Sequence, residues 1–148
     1  MLKRRTIAAA IVALAIVSGA CSDGDEPATA TSATPGVGSA EEVVFGSGVL
    51  PETLPSSFPV PAGSSVGSTM VVTDTGFTEV IIRINAEQGV TSEFFEQNLA
   101  LAGFAIDSSA DDGGSWKIEF NLDGAKGTID ISEPVEAISQ AVVRYNVP

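Results

Sequence analysis

The chain has 148 residues, 19 of them acidic, seven basic, none histidine and one cysteine, for a net charge of −12. Without histidine it lacks the usual general base near neutral pH and the commonest metal ligand, which argues against Ser-His-Asp hydrolases and against zinc or copper sites. A lone cysteine excludes an intramolecular disulfide, and the excess of carboxylates would be repelled by nucleic-acid phosphates and anionic lipid headgroups.

The N-terminus has three parts. Lys3, Arg4 and Arg5 are positive, Ile7 to Val17 is an uninterrupted apolar run, and Ser18, Gly19 and Ala20 are small residues leading to Cys21. This is the pattern of a secretory signal peptide over residues 1–20. Eleven apolar positions reach roughly 17 Å as a helix, short of the ~30 Å hydrocarbon core, so a permanent spanning helix is the weaker reading. The segment Ser18-Gly19-Ala20-Cys21 resembles the lipobox of bacterial lipoproteins, although Ser18 stands where a branched apolar residue is commoner. The resemblance implies cleavage before Cys21, a diacylglycerol on its thiol and an acylated new amino terminus. Each buried CH₂ adds about 0.8 kcal/mol, so two or three acyl chains anchor firmly where one is marginal. The expected location is therefore the extracytoplasmic face of a cell membrane, held by the lipid at Cys21.

Removing residues 1–20 leaves Arg83, Lys117, Lys126 and Arg144 against all 19 acids. Residues 22–42 are Ser, Thr, Ala, Gly, Pro and acids with almost nothing to bury, a composition that cannot offset the entropy of ordering. Residues 21–57 are thus expected to be the acylated cysteine and a flexible tether, in which residues 22–42, about 20 residues of coil, span roughly 25 Å. Within it Val43-Val44-Phe45 is an apolar island, either an edge strand or a docked segment.

The folded domain is expected over residues 58–148. Pro59-Val60-Pro61-Ala62-Gly63 is a stiff lead-in and a turn. Val66 to Thr73 reads as a strand with Val66, Met70 and Val72 on one face, and Phe77 to Asn85 as its hairpin partner with Val80, Ile82 and Ile84 inward. The period then changes: Glu87 to Ala102 reads as an amphipathic helix with Val90, Phe94, Asn98 and Ala102 in one row and Phe95, Leu99 and Leu101 beside it. Gly103 ends it, and Phe104 packs back on the last turn. Phe94 and Phe95 point different ways, leaving one for the periphery of the core or for a partner.

Phe104 to Ser108 is a short strand before the turn Asp111-Asp112-Gly113-Gly114. Trp116 to Leu122 alternates, with Trp116, Ile118, Phe120 and Leu122 on one side. Gly127 to Ser132 follows with Ile129 and Ile131 inward, Pro134 interrupts, and Ala137 to Val147 reads as a strand in preference to a helix. The expected fold is α+β: a single antiparallel sheet, ββαβββ with room for one further strand, and one amphipathic helix on one face. The run Leu54-Pro55 to Phe58-Pro59-Val60-Pro61-Ala62-Gly63, then a hairpin, then Val90…Phe94-Phe95…Leu99…Gly103-Phe104, resembles small secreted domains of uncharacterised actinobacterial lipoproteins. The resemblance covers about 90 residues and implies no activity.

Three constellations have an ordinary explanation beside the functional one. Asp107 to Asp112 spaces oxygens as a calcium loop does, but the glycine and the distal glutamate each fall one place late, so a solvated hairpin turn is preferred. Nineteen acids produce carboxylate pairs by chance, and none is placed in a cleft. Trp116 and Tyr145 face inward and are expected in the core rather than on a ligand platform. No catalytic residue, cofactor or metal is expected. The reading is a non-catalytic binding or interaction module with an envelope protein partner; a carboxylate- or metal-dependent enzyme and an accessory subunit are the alternatives.

Overall fold

The computed structural model describes residues 42–148. The expected signal peptide, Cys21 and the expected tether up to residue 41 lie outside the described residues. The elements are β1 (Val43–Ser47), β2 (Ser65–Val72), β3 (Phe77–Ile84), α1 (Gln88–Leu101), β4 (Ala105–Asp111), β5 (Ser115–Leu122), β6 (Ala125–Val135) and β7 (Ile138–Asn146). All seven strands form one sheet in the order β1-β2-β3-β7-β6-β5-β4, and every pairing is antiparallel.

The topology follows from one jump. After the meander β1-β2-β3 the chain crosses through α1 to the far edge, then meanders back until β7 pairs with β3. One face of the sheet is therefore covered, and its rows of side chains can be read across the strands. Thr69, Val80, Val143, Ile129 and Ile118 form one row, and Val66, Ile82, Ala141, Ile131 and Trp116 the next. α1 packs on the β4–β7 part of this face through Phe95 and Leu99, both fully buried. Truncating either to alanine is expected to cost about 3–5 kcal/mol.

Several details depart from the expectations. The fold begins before Phe58: Val43–Ser47 is a strand paired with β2, and Leu54 lies in the core beside Phe58. The edge strand is one of the two expectations for Val43 to Phe45, whereas Leu54, set among Pro and Ser, takes a core position that local composition does not announce. Phe58 touches three core rings, Phe95, Phe104 and Phe120, at 6.0–6.1 Å between centroids. Thr53 from the same segment hydrogen-bonds Thr78 of β3.

In β2 the expected row Val66, Met70, Val72 is split. Gly67 and Ser68 oppose the single residue Ile81, a β-bulge that shifts the register between Val66 and Thr69. Because strand side chains alternate, one extra residue moves everything beyond it to the other face. Thr69 and Val71 turn to the covered side, and Met70 and Val72 to the open side.

The helix is rotated from its expected setting. Its buried residues are Thr91, Ser92, Phe95 and Leu99, while Val90 is 58% exposed and Leu101 84%. Its C-terminus is as read: Gly103 has φ +91°, its N–H donates to Ala100 O, and the Phe104 N–H donates to Leu99 O. These are the two bonds of a Schellman motif, with Phe104 buried.

Proline does not interrupt β6, which runs on to Val135. It sits where the register shifts between Ser132 and Val135, so no regular ladder bond is lost. β7 is a strand, as preferred.

Candidate functional site

No helix among the described residues covers the second face of the sheet. Register places on it Met70, Glu79, Arg144, Thr128, Glu119 and Ser108 as one row across β2, β3, β7, β6, β5 and β4. Val72, Phe77, Asn146, Lys126 and Asn121 form a second, and Ile81, Val142, Asp130 and Lys117 a third. Arg83 pairs with Gln140 in a fourth. All four basic residues after position 20 therefore share one face of a strongly acidic protein. Strand alternation does this: each cation is flanked in sequence by residues that point into the core.

The centre of the face is a charge network. Arg144 donates from Nε to Glu79 Oε2 at 2.8 Å and from Nη1 to Asp130 Oδ2. Lys117 Nζ lies 2.9 Å from Glu119 Oε1, and Ser108 Oγ donates to Glu119 Oε2 at 3.0 Å. The Lys117 hydrogen bond, and secondly that of Ser108, hold the Glu119 carboxyl below its ordinary range. A general acid needs the opposite, a carboxyl raised towards neutrality. The Glu119 carboxylate raises Lys117 in turn. Beside this network a shallow groove of about 430 Å³ is lined by Phe77, Glu119, Lys126, Thr128, Arg144 and Asn146, among others. Arg83 and Lys126 have no ion-pair partner among the described residues.

Towards β1 the same face becomes apolar. Val43 and Phe45 lie opposite Val72 and Met70, and Phe77 is beside Val72. Phe45 is 76% exposed. On the covered side β1 borders a hollow of about 390 Å³, lined by Val44, Val49, Leu50, Val71, Glu52 and Thr69 among others.

The residues weighed from sequence fall as follows. Tyr145 is in the core, stacked on Phe120 at 6.2 Å and 12°, and burial raises its phenol pKa. Trp116 is partly buried against the core, and its Nε1 donates to Ser109 Oγ at 2.7 Å. Asp107 to Asp111 lies in strand β4 rather than in a loop, with Asp107 accepting from Asn121 Nδ2 at 2.7 Å. Among the described residues no group of three or more acidic, cysteine or histidine side chains is placed to hold a metal ion. No helix among them is long and apolar enough to cross a membrane. Sequence reading missed the open face because the β2 bulge conceals Met70 and Val72; of its two readings for Val43 to Phe45, the edge strand is the one found.

No protein-family model, curated protein or solved structure matches the chain.

Proposed function

We propose that the chain is an extracytoplasmic lipoprotein, held to a membrane by acyl chains on Cys21, whose domain is a non-catalytic binding module for an envelope protein. It presents the helix-free face of the sheet to that partner. One observation carries the binding reading: every basic residue beyond position 20 sits on this face, mixed with carboxylates and with half-buried Ile81, Val142, Met70, Val72 and Phe77. Apolar positions interleaved with paired and free charges are the make-up of a surface that a protein covers, since apolar contact supplies affinity and charge supplies orientation. The opposite side of the molecule, the outer surface of α1, has acids and no basic residue. It would repel an acidic partner.

Photo-crosslinking in intact cells tests this. A photoreactive side chain at Ile81 or Val142 is expected to capture one discrete partner protein. The same probe at Glu93 or Leu101, on the solvent side of α1, is expected to capture none. Equal capture from both sides, or from neither, contradicts the reading.

A further inference from the structure

Among the described residues no strand pairs with the outer side of β1, and this edge of the sheet has a property that the opposite edge lacks. A free strand edge presents unpaired N–H and C=O groups, and folded proteins usually guard it with charges, proline or a bulge. β4, at the far edge, is guarded: it carries Asp107 and Asp111 and a register break between Ile106 and Ser108. β1, with the sequence VVFGS, has no charge and no proline, and its register with β2 is unbroken over five pairs.

We propose that β1 accepts an added strand: an extended segment of a partner protein with apolar side chains at alternate positions and lysine or arginine at its ends. This rests on the binding-module reading and names how the partner is held. Hydrogen bonding fixes which groups are free. Glu42 O accepts from Thr73 N at 3.0 Å, and Gly48 N donates to Gly67 O at 3.2 Å. Antiparallel ladders alternate bonded and non-bonded pairs, so the even positions of β1 bond to β2. The N–H and C=O groups of Val43, Phe45 and Ser47 then point away from the sheet.

A strand laid on these groups finds apolar surface on both sides. Its residues opposite Val43, Phe45 and Ser47 fall beside exposed Val43 and Phe45, which continue the apolar strip of Met70 and Val72 one strand further in. The residues between them fall over the hollow lined by Val44, Val49, Leu50 and Val71. Main-chain bonds supply affinity in such an arrangement, and pockets for alternate side chains supply selectivity.

Charge selects the ends. Glu42 opens the strand and Glu52 lines the hollow, while the four described cations lie on β3, β5, β6 and β7. Two copies cleaved before Cys21 would each bring four basic residues against 19 acids, so a foreign segment with basic ends is favoured over self-pairing.

The test uses the full chain, isotope-labelled for NMR, and the probe peptide acetyl-Lys-Val-Thr-Val-Thr-Val-Lys-amide. Saturable shifts concentrated at residues 43–48 are expected. Two N-methylated versions, blocked at the valines or at the threonines, are expected to differ at least tenfold in affinity, because only one set of amides faces β1. Phe45→Pro removes an outward N–H without touching the bonds to β2; it is expected to weaken the probe at least tenfold while the shifts of β3 to β7 stay in place. Absence of saturable binding, equal loss from both N-methyl sets, or shifts confined to other strands overturns the proposal. So does a dimer that protects the β1 amides without peptide, which would give the edge to a second copy. If the probe fails while Ile81 and Val142 still crosslink a partner, strand addition is rejected and the binding module stands.

Discussion

At the scale of single residues, two positions have consequences out of proportion to their size. Thr91 is on the buried side of α1, and its Oγ1 meets no hydrogen-bond partner among the described residues. An unsatisfied buried hydroxyl costs about 1–3 kcal/mol, whereas a methyl in its place costs nothing to desolvate. Thr91→Val keeps the shape and the helix propensity, so it is expected to raise stability by about 1 kcal/mol. The check is a higher denaturant midpoint at unchanged slope. Gly127 faces the core, where an added Cβ would sit 2.2 Å from Cζ of Phe120. That ring cannot step aside easily, being packed edge-on against Phe104 at 5.4 Å and stacked on Tyr145. Gly127→Ala is expected to destabilise by about 1–3 kcal/mol or more, as overpacking does, and an unchanged thermal midpoint would contradict this packing. Sequence alone gave the inward Phe120, Ile129 and Ile131. It did not give the reason for Gly127, because a glycine's partner ring is three strand positions and a turn away.

At the scale of elements, α1 is capped from a distance. Its own N-cap, Glu87, makes no side-chain bond. Glu133, at the far end of β6, accepts instead from the Gln88 N–H at 2.9 Å and from the Ala137 N–H at 2.8 Å. Those backbone bonds hold its carboxyl below the ordinary range. A depressed carboxylate stabilises the fold above its unfolded pKa of about 4.3, and that contribution is lost as the pH falls through the lower folded value. Glu133→Gln should therefore unfold at a lower temperature than the parent at pH 7, and the gap should close towards pH 3. A gap of the same size at both pH values would show that the charge is irrelevant. No local pattern reveals this cap, since 45 residues separate the partners. What could be read was the change of period at Glu87 and the glycine stop at Gly103, because both are local. The rotation of α1 could not, because Thr91 and Ser92 are buried while Val90 and Leu101 are left in solvent, a choice made by the sheet below. The β2 bulge defeated alternation in the same way.

At the scale of the whole molecule, charge is segregated. A chain of net charge −12 collects its described cations on one open sheet face, and that face runs into an unguarded apolar edge. The residue types were visible in sequence, but their assembly on one face depended on register. A domain with this acidity has no electrostatic attraction to an anionic bilayer, which is why the proposed attachment rests on lipid at Cys21. The most direct measurement is the intact mass of the protein extracted from its own cell membranes. The account predicts a chain that starts at Cys21, heavier than residues 21–148 by a diacylglyceryl group and an amide-linked acyl chain, and a soluble or uncleaved product from Cys21→Ala. A native mass that includes residues 1–20, or that leaves the Cys21 sulfur unmodified, would contradict it.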